Sequence, residues 1–376
     1  MVNIYELALA KTPGIGPRMA VELLNHIGSA EELFRLNRND LQAIFKSKDK
    51  TIDSIINRSM FATCEKELNF VEKYNIRSYF FTDDSYPQRL KNIPDTPICL
   101  FVDGKGDLNK KYIVSIVGSR QATDYGRMMT DAIVRELKSF GDIAIISGLA
   151  YGIDSMAHRQ SLSNNIPTFG VLGHGLDMIY PKDHYTLSQQ MKENGGLITE
   201  YFSHTPITPY NFPQRNRIIA GLSDLVIVVE AAKTGGALIT ARLANDYNRD
   251  VLAVPGRCND KYSEGCHFLI ESNRANILSS PKSIAKLMMW DDIPQQISNT
   301  IETLRKDSPV TIDAKADNLK GRQKKIYSTL KEKGELDIDT LAIETNISVF
   351  ELSALLLELE LEDYVISKPG KVYKAL

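Results

Sequence analysis

The sequence predicts an α/β protein: a parallel, doubly wound sheet set between an all-helical N-terminal module and a small C-terminal module. Three observations carry this. Across residues 113–284, short β-branched runs alternate with stretches of helical period, the pattern of strands joined by crossover helices. Those runs are apolar throughout, as at 225–229, or broken only by a small residue, as by Ser115 in 113–117, as strands buried on both faces are. Residues 4–75 show helical character alone, while 291–318 are polar with two prolines, a linker by composition. The 376 residues, 43% of them apolar, suffice for two or three domains with a sizeable core. The expected boundaries are 1–80, 81–290, 291–318 and 319–376.

In the first module, Thr12-Pro-Gly14-Ile15-Gly16-Pro17-Arg18 separates two helical stretches. Such a hairpin can turn backbone N–H groups toward a nucleic-acid phosphate at a helix N-terminus, with Arg18 beside it. An αα-corner whose glycines only make the turn explains Gly14 and Gly16 as well. Three prolines then interrupt residues 86–97, and 98–102 is a short strand leading into the sheet. Further strands are predicted at 113–117, 143–147, 168–172, 197–200, 225–229 and 251–254. Helices are predicted at 125–140, 153–163, 184–193, 213–221, 237–247 and 265–275.

In the last module, helices at 321–333, 338–344 and 349–360 precede two strands flanking Lys368-Pro-Gly370-Lys371. That order is a winged helix-turn-helix. Its candidate recognition helix carries Glu351, Glu358 and Glu360 and no basic residue, and 320–376 hold nine Lys/Arg against ten Asp/Glu. A helix that reads a duplex groove needs positive charge near phosphates. A protein contact is therefore expected here, with Lys368, Lys371 and Lys374 leaving little room for DNA.

A net charge of −2 means that anion binding must come from local clustering. Cys64, Cys99, Cys258 and Cys266 have no zinc-like spacing, so reduced thiols and no bound metal are expected. The first residues lack the basic start and apolar core of a signal peptide. No run of about 18 apolar residues occurs. A cytoplasmic protein with no membrane contact is the expectation.

Ligands of doubly wound sheets bind outside the carboxyl ends of the strands. The first strand ends in Gly118-Ser119-Arg120-Gln121-Ala122-Thr123. Glycine permits close backbone approach, the hydroxyls can donate to phosphate, and arginine clamps it. The next helix aims its positive end at the same place. A tight turn with a surface arginine fits equally. The second strand ends near Gly148 and Gly152, whose amides can face a ligand. Asp154 and His158, one turn apart, read better as an intrahelical pair than as an acid–base couple. Lys182 follows a proline beyond the third strand.

Ahead of the fifth strand, Phe212-Pro-Gln-Arg215-Asn216-Arg217 combines an aromatic, arginines and an amide, the vocabulary of single-strand recognition. The alternative is a helix N-terminus with Phe212 in the core. Lys233-Thr234-Gly235-Gly236 after that strand is another anion nest, and Glu230 is either a base or a loop holder. No G-x-G-x-x-G follows the first strand and no acid ends the second, against a dinucleotide cofactor. No P-loop and no G-x-S-x-G elbow occur either. A phosphate-binding cleft without a catalytic set remains.

Several ordered stretches resemble the DprA/Smf family: Tyr86-Pro-x-x-Leu-x-x-Ile-x-Asp-x-Pro, Ile116-Val-Gly118-Ser119-Arg120, Ser147-Gly148-Leu-Ala-Tyr-Gly152-Ile-Asp154, Gly175-Leu-Asp177-x-Ile-Tyr180-Pro181-Lys182, Phe212-Pro-x-Arg215-Asn216-Arg217 and Gly235-Gly-Ala-Leu-Ile-Thr240. The resemblance covers essentially the whole chain. It implies an extended Rossmann-like domain that binds single-stranded DNA, forms a homodimer and hands the DNA to the RecA recombinase in natural transformation. It implies a SAM-like, helix-hairpin-helix N-terminal module, and no enzyme activity or cofactor. By motif match, Arg120 and Lys182 would grip phosphates. Gly118, Ser119 and Thr123 would shape the pocket, with Phe212, Arg215, Asn216 and Arg217 completing the groove. An apolar patch around 239–254 would serve dimerisation. His174 stands where a small residue is usual. The same sheet type occurs in LOG-type phosphoribohydrolases, but the glutamate of their glycine-rich motif has no counterpart after Thr234-Gly-Gly-Ala-Leu-Ile-Thr-Ala.

Overall fold

The computed structural model describes residues 2–46, 48–290, 319, 321–362, 364–368 and 372–375. The expected linker 291–318 lies outside them, as do Lys371 and the side chain of Lys368. The chain forms two compact units, Met1–Trp290 and Asp291–Leu376.

In the first unit, helix α1 (Ile4–Lys11) opens on a capping box. The Asn3 side chain accepts from the Tyr5 and Glu6 amides, and Glu6 Oε2 accepts from Asn3 N at 2.8 Å. Five helices follow: α2 (Pro17–Ile27), α3 (Ala30–Leu33), α4 (Arg38–Phe45), α5 (Asp49–Ile56) and α6 (Phe61–Lys73). Leu7, Leu9, Leu33, Leu41 and Ile52 form their buried centre. The same cluster takes in Phe80, Ile98, Phe101 and Phe202 from the sheet region, so bundle and sheet share apolar packing.

The strands are β1 (Arg77–Phe80), β2 (Cys99–Asp103), β3 (Tyr112–Val117), β4 (Ile143–Ser147), β5 (Thr168–Val171), β6 (Gly196–Thr199), β7 (Leu225–Val228), β8 (Asp250–Ala253) and β9 (Asn276–Ile277). They make one sheet in the order β1-β2-β6-β5-β4-β3-β7-β8-β9. From β6 to β9 every pairing is parallel, whereas β2 runs antiparallel to β6 and β1 to β2. The expected parallel sheet thus runs from β6 to β9, and β1 and β2 add an antiparallel edge to it. Both antiparallel strands precede the first crossover unit, so the rule that orients crossover-linked strands does not reach them.

Helices α7 (Gln88–Lys91), α8 (Asp124–Leu137), α9 (Ile153–Ser163), α10 (Tyr185–Asn194), α11 (Asn211–Leu222) and α12 (Gly236–Asp246) accompany the strands, and side chains of the central strands alternate between two layers. Ile113 and Val117 of β3 pack with Ile218, Leu222 and Ala241, from α11 (Asn211–Leu222) and α12 (Gly236–Asp246). Val114 and Ile116 pack with Met129, Ile133 and Ala157, from α8 (Asp124–Leu137) and α9 (Ile153–Ser163). The Arg89 guanidinium donates to both Asp224 oxygens at 2.7 Å, and Asp224 Oδ2 also accepts Ile113 N at 2.8 Å. This bidentate pair ties the proline-rich segment to the sheet's first central strand.

The apolar stretch expected to serve dimerisation is mostly buried, with Ile239 and Leu243 half-buried. Ala241, Ala244, Val251, Leu252, Ala253 and Val254 are buried, because β8 lies between β7 and β9. Large apolar side chains are exposed instead at Phe268 and Ile277.

The second unit has helices Gly321–Lys333, Ile338–Thr345 and Val349–Leu361 and a three-stranded sheet of Leu336–Asp337, Val372–Ala375 and Val365–Lys368. This is the winged helix, with one short strand more than the sequence predicts. The acids of its third helix engage their own unit. Glu351 pairs with Arg322, Glu358 accepts Gln323 Nε2 at 2.9 Å, and Glu360 accepts Ser367 N at 3.1 Å.

Candidate functional site

Strand order reverses at β3, which has β4 on one side and β7 on the other. A crevice forms outside the carboxyl ends of strands at such a point. A cleft of about 700 Å³ occupies it, lined by Gly118, Ser119, Arg120, Gln121, Tyr180, Phe212, Arg215, Asn216, Thr234, Gly235, Gly236 and Tyr262.

The turn after β3 exists because two glycines let it lie against α9. A Cβ on Gly118 would stand 2.6 Å from Ile153 Cγ1, and one on Gly152, at φ +76°, 2.6 Å from the Arg120 carbonyl carbon. Ile153 N donates to Ser119 O at 3.1 Å, and Gln121 N to Ser119 Oγ at 3.0 Å. Arg120 is left exposed at the apex, with no ion pair among the described residues. Its Cζ lies 6.0 Å from the Phe212 ring centroid, and the Arg215 Cζ lies at the same distance. Tyr180 adds a second ring 5.8 Å from Phe212. Gln121 accepts from the Tyr262 hydroxyl. Tyr262 was beyond sequence reading, since nothing local links two residues so far apart in the chain.

Across the cleft, α12 begins at Gly235 with no side-chain cap. Thr234, Gly235 and Gly236 are exposed, and a Cβ on Gly235 or Gly236 would touch nothing closer than 3.7 Å. Asn216 Nδ2 donates to Gly236 O at 3.3 Å, holding this loop to α11. The cleft thus presents an open helix N-terminus, which attracts anions.

Several sequence expectations are corrected by internal contacts. Thr123 N donates to Glu230 Oε2 at 3.0 Å, and the Thr123 hydroxyl donates to Glu230 Oε1. Its single O–H is committed, and a carboxylate already occupies the α8 N-terminus, so neither is open to a phosphate. Glu230 is the loop holder. Gly148 also works internally, its N–H on Asp154 Oδ2 at 3.2 Å and its carbonyl on Arg215 Nη1 at 2.6 Å.

Arg215 is buried and also donates to Val171 O. Burial lowers its pKa to about 10, against the opposing charge of Asp154. It shapes the cleft wall from within instead of projecting into it. Arg217 lies outside the cleft lining, paired with half-buried Glu200 and donating to Asp95 O at 2.6 Å. Asp154 and His158 are both buried, and His158 Nδ1 meets Thr168 Oγ1 at 2.7 Å. Lys182 is exposed at the start of a short 3-10 turn, near Tyr180 but outside the lining. His174 is buried, its Nδ1–H donating to Gly175 O at 2.9 Å. Among the described residues no His/Cys/Asp/Glu group is placed to hold a metal ion.

In the helical bundle, Gly14 takes φ +83°, and a Cβ there would stand 2.5 Å from Thr51 Oγ1. That hydroxyl donates to Pro13 O at 2.7 Å and pins the hairpin. Gly16 precedes α2 without a side-chain cap, and Arg18 is exposed beside it.

The family model of DNA recombination-mediator protein A matches residues 77–289. The chain belongs to that family. The DprA winged-helix model matches 308–371, and a SAM-like helix-hairpin-helix tandem matches 6–58. Protein Smf of Synechocystis is 33% identical over 98% of both chains. DNA processing protein DprA of Streptococcus pneumoniae is 39% identical over 56% of this chain and 73% of that one. The X-ray structure of Streptococcus pneumoniae DprA superposes with a TM-score of 0.67 at 32% identity, covering 76% of this chain and 98% of that one. Helicobacter pylori DNA processing protein A, solved for its single-stranded DNA binding mode, gives a TM-score of 0.52 at 28% identity, over 57% and 96%.

Proposed function

We propose that this chain binds single-stranded DNA in the cleft at the β3–β7 switch point, without catalysing a reaction on it. The observation that carries this reading is Arg120, exposed at the apex of a glycine-built turn and facing the Phe212 ring and the uncapped start of α12. A guanidinium and open backbone N–H groups meet phosphates, and an aromatic face accepts an unstacked base. Gly118, Ser119, Gln121, Asn216, Thr234, Gly235 and Gly236 complete the contact surface. Lys182 extends it past Tyr180, and Gly152 supports it. Arg215 and Arg217 act from inside as frame. The Helicobacter relative, solved for its single-stranded DNA binding mode, supports the ligand class.

A nucleotide-processing reading lacks a free acid. Glu230 is held by Thr123, while Asp154 and His158 are buried. Transfer of the strand to the RecA recombinase fits the family's description as recombination mediator. Pairing of two copies would use the apolar surface at Phe268 and Ile277, beside the edge strand β9. The hairpin of Gly14, Gly16 and Arg18 offers a further phosphate contact. The domain division at 80, 290 and 318 and a cytoplasmic setting complete the proposal. No described helix is long and apolar enough to cross a membrane.

The test is a mobility shift of labelled single-stranded and duplex DNA over a salt series. The reading expects preference for the single strand and affinity that falls steeply with salt. Equal binding of the two forms would sink it.

A further inference from the structure

We infer that a second basic depression, adjoining the cleft at Arg120, holds phosphates of the same single strand beyond the stretch the cleft takes; this rests on the single-strand reading above. The depression, of about 620 Å³, is lined by Arg120, Arg127, Arg159 and Tyr151 among others. Arg127 comes from the first turn of α8 and Arg159 from the middle of α9. Neither is required by the sheet chemistry already described.

Three guanidinium groups share this concave surface in a chain of net charge −2. Carboxylates near it leave most of that charge uncovered. Asp124 stands 3.6 Å from Arg127 with both side chains well exposed, a geometry that contributes little in water. Asp183 accepts the Tyr151 hydroxyl at 2.8 Å. Arg159 is exposed with no ion pair among the described residues. Like charges gathered with only one weakly paired acid repel one another, and a polyanion relieves this.

Shape and continuity select the ligand. The arginines are spread over a turn and two helices, which suits a backbone track better than one enclosed anion. Arg120 and Gln121 line both cavities, so a strand gripped at Arg120 continues into the second. Tyr151 is 45% exposed, and its ring is steadied by His184 with centroids 5.0 Å apart. It offers a stacking face for a base there.

The experiment compares wild type, Arg127→Ala/Arg159→Ala and Arg120→Ala by fluorescence anisotropy over a salt series. The probes are thymidine oligonucleotides of about 4 and about 16 nucleotides, the range one compact site covers. The double variant is expected to bind the short probe as wild type does. On the long probe its salt slope falls by about 1.4, two contacts at about 0.7 each. Arg127→Lys/Arg159→Lys should restore that slope. Unchanged affinity and slope on the long probe overturn the inference, and so does equal loss on both probes. If Arg120→Ala weakens both probes in those cases, the cleft reading stands and only the extension falls. If Arg120→Ala also leaves both unchanged, the cleft reading itself fails.

Discussion

Glu230, just past β7, accepts two hydrogen bonds from Thr123 at the start of α8, one from the backbone N–H at 3.0 Å and one from the hydroxyl. The contact fills the N-terminus of α8 with a carboxylate, so the open helix N-terminus that the cleft presents is that of α12. Gly126 is part of the same arrangement, since a Cβ there would collide with the Glu230 carboxylate.

Replacing Glu230 with Gln should therefore move stability and binding in opposite directions. Hydrogen bonds to a buried charged group contribute about 1.5–3 kcal/mol, and a helix N-terminus favours an anion. Urea unfolding is expected to show a loss of that order. Single-strand affinity should hold or rise, because a negative charge is removed next to Ala231, which lines the cleft. A loss of affinity with unchanged stability would mean that Glu230 serves the ligand and not the turn.

Much of the fold was legible because buried strands announce themselves. Continuous runs such as that of β7 have no solvent-facing side to be polar on. β1 and β9 were not legible, since one alternates buried and half-buried residues and the other is two exposed residues, and neither makes an apolar run. Within the site, Arg120 was readable from its glycine-bounded turn. Arg215 and Arg217 were not, because an arginine that binds phosphate and one that braces carbonyls carry the same letter. What separates them is burial and the partners Asp154, Glu200 and Asp95, which lie far off in sequence. The Thr123–Glu230 contact was hidden for the same reason.

That distinction is measurable. Arg217→Ala breaks a largely buried pair with Glu200, whose own pKa burial raises and Arg217 pulls back down. Removing one partner of such a pair costs about 3–5 kcal/mol. Arg120→Ala should leave the unfolding midpoint near wild type and lower the salt slope of single-strand binding by about 0.7. If Arg217→Ala keeps full stability and loses DNA instead, its assignment to the frame is wrong.

His158 gives a pH signature. It is fully buried, and burial lowers its pKa to about 3. Between that value and the ordinary 6.5, the unfolded chain binds the proton and the folded chain does not. Stability from this group is thus fully present above about pH 6.5 and is lost as pH falls toward 3, by up to about 1.4 kcal/mol per pH unit. His158→Gln should flatten this part of the stability–pH curve. Parallel curves for variant and wild type between pH 4 and 6.5 would remove His158 as the cause.

Phe212 separates stacking from charge. Its ring is partly exposed between Arg120 and Arg215, with Tyr180 alongside. Base–aromatic stacking contributes about 1–3 kcal/mol per base, and it releases no counterions. Phe212→Ala is accordingly expected to weaken single-strand binding by that amount at every salt concentration, giving a line parallel to wild type in a plot of log affinity against log salt. Phe212→Trp, which keeps an aromatic face, should recover most of the loss. A changed slope in Phe212→Ala would show that the ring positions Arg120, and a weakening that Phe212→Trp fails to relieve would assign Phe212 to packing.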